Sequence, residues 1–128
     1  MKKSSTAISE AESQVMEVLW KARTPLPAEP VVAALGLTKG WREATVKTLL
    51  NRLLKKGAIA SRKEGRRYLY SWVLAREQWV TGESTSLLDR MFGGRVAPLV
   101  AHFGEQQKLS KKDLDEIARL IERMRDGN

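Results

Sequence analysis

Apolar and polar positions follow two rhythms along this chain, one repeating every three to four residues and one every two. A helix is predicted to open at Ser9-Glu10-Ala11-Glu12, where a Ser and a Glu three residues later satisfy exposed helix N–H groups reciprocally. Val15, Val18, Leu19 and Ala22 continue it with one apolar face, widened by Met16 and Trp20, until Thr24-Pro25-Leu26-Pro27 stops it. A shorter helix is predicted over 28–35, burying Val31, Val32 and Leu35, with Pro30 tolerated in the first turn. Gly36 and Gly40 then bracket a turn. From Arg42 to Lys56, Val46, Leu49, Leu50 and Leu53 recur at i, i+3, i+4 and i+7, the spacing of a helix with one buried stripe. Beyond Gly57 the period falls to two. Ala58 to Lys63 and Arg66 to Trp72 read as strands of a hairpin around Glu64-Gly65, where glycine permits the positive φ of a tight turn.

After Trp72 the pattern is helical again. Trp79, Val80, Leu87, Leu88, Met91 and Phe92 line one side of a helix that Gly93-Gly94 ends, and Gly82 inside it costs roughly 1 kcal/mol relative to Ala. A short apolar helix over 97–103 carries Leu99, Val100 and Phe103. The last helix begins at Ser110 with Asp113 in the capping position, and Leu114, Ile117, Ile121 and Met124 repeat at alternating spacings of three and four. Three short helices with such wide stripes bury them poorly alone, so they are expected to bury them against a second copy of the chain. The alternative is that they fold back onto the first 72 residues.

Charge separates the two parts. Residues 1–72 hold 14 Lys or Arg and 6 acids, whereas residues 73–128 hold 9 of each, so the whole net charge of +8 lies in the first part. That part is the one expected to meet a polyanion. On the helix from Arg42 to Lys56, the side opposite the apolar stripe carries Thr45, Thr48, Asn51, Arg52 and Lys55, with Lys47 at one edge and Ala44 between them. The segment 42–67 has nine Lys or Arg against two acids, Glu43 and Glu64. A helix able to lie in a major groove, followed by a basic hairpin able to reach phosphates, is the layout of a winged-helix DNA reader. The predicted fold is mainly α with a small β-hairpin: a winged helix-turn-helix domain over 1–72, then a three-helix dimerisation region over 73–128.

The remaining composition narrows the function. The 128 residues contain no Cys and one His, with no glycine-rich phosphate loop and no carboxylate pair in an evident pocket, so the chain lacks the usual parts of an enzyme and no cofactor is implied. Absence of Cys excludes disulfides and thiolate metal sites and fits a reducing cytosol. No apolar run approaches the roughly 18 to 20 residues that span a bilayer, and MKKSSTAISEAESQ lacks the apolar core of a signal peptide, so a cytoplasmic protein without direct membrane binding is expected. The rival reading is a winged helix that binds RNA or a protein partner without operator specificity.

Four motifs in order carry a resemblance: IS-x-AE-x-x-VM-x-x-LW from Ile8 to Trp20, T-V-K-T-L-L-N-R-L-x-K-K from Thr45 to Lys56, a hairpin ending Y-L-Y-S, and L-x-x-x-FGG before the last helices. Together they resemble the penicillinase-repressor family, which includes repressors of β-lactamase and methicillin-resistance genes and related copper-operon repressors. The resemblance implies a winged helix on a palindromic operator in double-stranded DNA and C-terminal helices that make a homodimer. It places Lys47, Thr48 and Arg52 at DNA-facing positions of the recognition helix and Arg62, Lys63, Arg66 and Arg67 on the wing. With Arg42, and with Thr45, Asn51 and Lys55 from the open face, these form the expected DNA-binding set. Leu87, Leu88, Met91, Phe92, Leu99, Val100, Phe103, Leu114, Ile117, Ile121 and Met124 form the expected dimer interface. Ala44 departs from the basic residue of some relatives, which implies a different operator sequence. In the β-lactam branch a membrane sensor with a zinc-protease domain leads to a cut in the dimerisation region, commonly at an Asn-Phe bond. Here the corresponding bond is His102–Phe103; the bland alternative is that Phe103 is helix core and His102 an exposed helical residue. The copper branch uses a cysteine-rich tail, which this chain does not have.

Overall fold

Ser9 accepts the Glu12 N–H at 3.0 Å while Glu12 Oε1 accepts the Ser9 N–H at 2.8 Å, so the capping box closes and α1 runs Glu10–Lys21. The computed structural model describes residues 7–127; Asn128 and the first six residues of the stretch read above for a signal-peptide core lie outside them. α2 runs Ala28–Lys39, one turn further than the predicted 28–35, and passes through Gly36 before Gly40, at φ +70°, ends it. One interior glycine costs only about 1 kcal/mol, less than the burial of Val31 and Leu35 returns. α3 runs Glu43–Lys56 with Arg42 as its N-cap, and it buries the predicted stripe of Val46, Leu49, Leu50 and Leu53.

Gly57 adopts φ +78°, and the Ala58 N–H donates to the Leu53 carbonyl at 3.0 Å, turning the chain directly from α3 into the hairpin. β1 is Ile59–Glu64 and β2 is Arg67–Trp72, antiparallel, with Ile59 opposite Trp72 and Glu64 opposite Arg67. The connecting residues are therefore Gly65 and Arg66, one position later than Glu64-Gly65. Gly65 has φ +66° and Arg66 does not take a positive φ, the pattern of a two-residue loop with glycine first. Leu26 exchanges two backbone hydrogen bonds with Tyr70, at 2.9 and 2.7 Å, so the stretch between α1 and α2 anchors the hairpin. Three helices and a hairpin arranged in this way make a winged helix.

The core joins Val15, Met16 and Leu19 of α1 with Val31 and Leu35 of α2, the α3 stripe, and Ala58, Ile59 and Leu74. The chain stays on this core past the hairpin. The Val73 and Leu74 N–H groups both donate to the Ala58 carbonyl, and Trp20 Nε1 donates to the Leu74 carbonyl at 2.9 Å. α4 begins at Arg76 and ends at Met91; its Trp79 packs against the same core with its ring 5.4 Å from that of Trp20. The first compact unit ends at Gly82 and the second begins at Glu83.

In the second unit, Gly93 and Gly94 at φ +59° and +77° terminate α4, and the Gly94 N–H closes on the Leu88 carbonyl at 2.8 Å. α5 spans Val96–Glu105 and α6 spans Lys111–Arg125, the latter capped by Ser110 Oγ, which accepts the Asp113 N–H at 3.0 Å. None of the described residues of this unit is buried. Leu87, Leu88, Phe92, Leu99, Val100 and Ile117 are half-buried, whereas Met91, Phe103, Leu114, Ile121 and Met124 are exposed. Among the described residues no helix is long and apolar enough to cross a membrane, and no cluster of three His, Cys, Asp or Glu is placed to hold a metal ion.

Candidate nucleic-acid interface

With its apolar stripe committed to the core, α3 leaves its other side to solvent, and Thr45, Lys47, Thr48, Asn51, Arg52 and Lys55 are all exposed there. Arg42 is exposed at the N-cap and makes no side-chain cap, so the first N–H groups of α3 lack a side-chain acceptor from that position. Free N–H groups and the positive end of the helix dipole suit a phosphate oxygen. Chemically, the face offers a fork of donors from Arg52, methyl and hydroxyl groups from the two threonines, and an amide from Asn51 that can donate and accept.

The wing contributes Arg62, Lys63, Arg66 and Arg67, all exposed. Their positions follow from the strand register: Arg62 lies opposite Leu69, Lys63 opposite Tyr68, and Arg67 beside the two-residue loop. Sequence reasoning passed over Tyr68, which is half exposed on β2 across from Lys63 and presents a phenolic donor among these cations. The signal was available, because strand alternation puts Tyr68 on the face opposite buried Leu69.

Three of the nine cations of this segment already have carboxylate partners. Lys47 Nζ lies 2.7 Å from Glu43 Oε2 one turn earlier, and Arg62 lies 3.5 Å from Glu64. The hydrogen bond from Lys47, then its charge, holds the Glu43 carboxyl below its ordinary range, and the same contact raises Lys47. Lys56 is different in kind. Its ammonium meets the carboxylate of Glu12, which is buried in α1, and also donates to the Ala7 carbonyl at 3.1 Å, so it ties α3 to α1.

In the second unit, His102 and Phe103 are exposed residues inside α5. Their rings stand 5.6 Å apart, and the His102 ring is 6.1 Å from that of Phe92. Phe103 is 40% exposed.

A family model described as the penicillinase repressor matches residues 8–123. The penicillinase repressor of Bacillus licheniformis is 34% identical over 115 residues, covering 90% of this chain and 89% of its own. The methicillin resistance regulatory protein MecI of Staphylococcus aureus is 26% identical over 114 residues, covering 89% of this chain and 92% of its own. A solution structure of the Bacillus licheniformis BlaI monomeric form in complex with the blaP half-operator superposes with a TM-score of 0.51 at 38% identity, covering 61% of this chain and 93% of that one.

Proposed function

The chain belongs to the penicillinase repressor family, a family of transcriptional repressors and not of enzymes, and on that premise we propose that it is a cytoplasmic homodimeric repressor of a palindromic operator. The exposed face of α3 enters the major groove of each half-site. Arg52 and Thr48 meet base edges, and Arg42, Thr45, Lys47, Asn51 and Lys55 share base and phosphate contacts. The wing cations Arg62, Lys63, Arg66 and Arg67 track the phosphate backbone, whose contacts fix position and carry no sequence information directly. The observation that carries this reading is the exposure of every one of these polar side chains on a unit whose apolar stripe is fully used by the core. The half-operator complex of the BlaI relative supports it.

The second unit supplies the dimer. A unit none of whose described residues is buried, with Leu114, Ile121, Met124 and Met91 exposed, has apolar surface to cover, and a second copy covers it with two-fold symmetry matched to a palindrome. The genes under control are of the β-lactamase or resistance type, and the repressor is released by a cut at His102–Phe103 that follows activation of a membrane sensor with a zinc-protease domain. The bond lies inside α5, so cleavage requires that helix to open locally; α5 is ten residues long and buries none of them, which makes opening inexpensive. Cutting removes tethering and leaves the contacts of each half-site intact.

The test is a salt-controlled titration of the full chain against genomic fragments, with sequencing of those that stay bound. A short palindrome whose half-sites lie about one helical turn apart is the expected recovery. Recovery of unrelated fragments at equal affinity would move the function to RNA or a protein partner.

A further inference from the structure

The two acids of the basic segment stand where an anion opposes DNA binding, and one of them, Glu43, is the first residue of the recognition helix. Its carboxylate and the Lys47 ammonium form a donor–acceptor pair at 2.7 Å, with both side chains more than half exposed. They border a shallow crease of about 170 Å³ with Ala28, Glu29, Val32 and Ala33 of α2, so the pair occupies one edge of α3, while Ala44 leaves the centre of the first turn without a long side chain. Residues at the start of a recognition helix are those that reach base edges.

In the major groove the carboxylate oxygens of Glu43, one of which already accepts from Lys47, can take a further hydrogen bond from two base donors, cytosine N4 and adenine N6. Each is hydrogen-bonded to an acceptor on its pairing partner, guanine O6 or thymine O4, at the ordinary separation of about 2.9 Å. The Glu43–Lys47 separation matches that spacing. We propose that Glu43 and Lys47 together read a single base pair in each half-site, a C·G pair oriented with cytosine N4 donating to Glu43 and Lys47 donating to guanine O6. Glu43 is thereby a specificity-determining residue outside the basic set. A·T in the same orientation ranks second, because thymine O4 lacks the neighbouring N7 acceptor that guanine adds for the lysine. The reversed pairs, G·C and T·A, set an acceptor against the carboxylate and are rejected.

This inference rests on operator binding as proposed above, and the experiment separates the two. Duplexes that the wild-type chain selects from a random-sequence library are varied one base pair at a time, and affinities are measured at fixed salt for wild type, Glu43→Ala and Lys47→Ala. Wild type is expected to prefer C·G over G·C by about tenfold or more at one position. Both variants lose the preference there to within about twofold and keep it elsewhere, since residues acting as one unit are non-additive. Glu43→Ala also binds unselected duplexes more tightly than wild type, because a phosphate-opposing charge is gone, so the readout that separates base reading from a merely structural role is the loss of preference confined to one position. An unchanged profile in Glu43→Ala, or a loss spread evenly over all positions, overturns the inference while leaving the operator reading in place. A wild-type chain that selects no sequence overturns both.

Discussion

Glu12 is 2% exposed, and the fold keeps it charged. Burial pushes its carboxyl upward, but the hydrogen bond from Lys56, that from the Ser9 N–H, and the charge of Lys56 together outweigh burial and hold it below its ordinary value. A carboxyl depressed in the folded state contributes stability that is fully present above its unfolded value, about 4.5, and is lost as pH falls through the folded value. Lys56→Met strands the carboxylate without its cation. Because Lys56 is partly exposed, the cost at pH 7 is about 1–3 kcal/mol, below that of a fully buried pair. The gap between variant and wild type should narrow as pH drops below about 4.5, where Glu12 is protonated in the variant and the pair no longer matters. Urea unfolding across pH 3 to 7 measures this, and a constant gap would assign the stabilisation elsewhere. On the DNA face the predictions divide by chemistry. Arg52→Ala should lose about 1–3 kcal/mol at one base pair and relax specificity there, whereas Lys63→Ala should weaken binding to every sequence and reduce the salt slope by about one. Equal losses from both, measured on matched and shuffled duplexes, would contradict the division.

At the scale of the elements, α4 contains a glycine that packing does not require. Gly82 has no positive φ, and an added Cβ would meet nothing within 4 Å. Gly82→Ala is therefore expected to stabilise the chain by about 0.5–1 kcal/mol through helix propensity and the unfolded state, read as a rise in thermal midpoint; a fall would reveal a contact at that position. α1, α3 and α6 were legible in the sequence because each announces itself twice, by a stripe and by a cap: Ser9 with Glu12, Val46 through Leu53 with Gly57, Ser110 with Asp113. What was not legible depended on partners distant in sequence. Gly36 reads locally as a breaker, yet α2 continues because Val31 and Leu35 are held by α1 and α3. The hairpin loop falls at Gly65-Arg66, with Glu64 paired to Arg67, because the positive φ of Gly65 is taken at the first loop position, a choice between turn types that the strand alternation does not reveal. The exposed polar face of α3 was readable as the complement of the stripe. The commitment of Lys56 was readable only in part: three residues after Leu53 it falls on the stripe side of α3 while Lys55 lies opposite, but its partner Glu12 sits on another helix.

For the whole molecule, the account joins two kinds of surface. One is a basic face on a unit with a buried core; the other is apolar surface on a unit none of whose described residues is fully buried. Ile121 is 48% exposed and is expected to become covered only in a dimer. Ile121→Asp should yield a folded monomer by sedimentation, with circular dichroism close to wild type. Its affinity for a full palindrome should fall by a factor on the order of 100 to 10,000 as tethering is lost, while its affinity for a half-site stays the same. A variant that remains dimeric would remove α6 from the interface. The most direct measurement is the ratio of affinities of the full chain for its selected duplex and for a shuffled duplex of equal composition, at about 0.15 M salt. A ratio of about a thousand or more is predicted for a repressor that reads base edges through α3. A ratio near one, with the same salt slope on both duplexes, would contradict it and leave only a basic surface for polyanions.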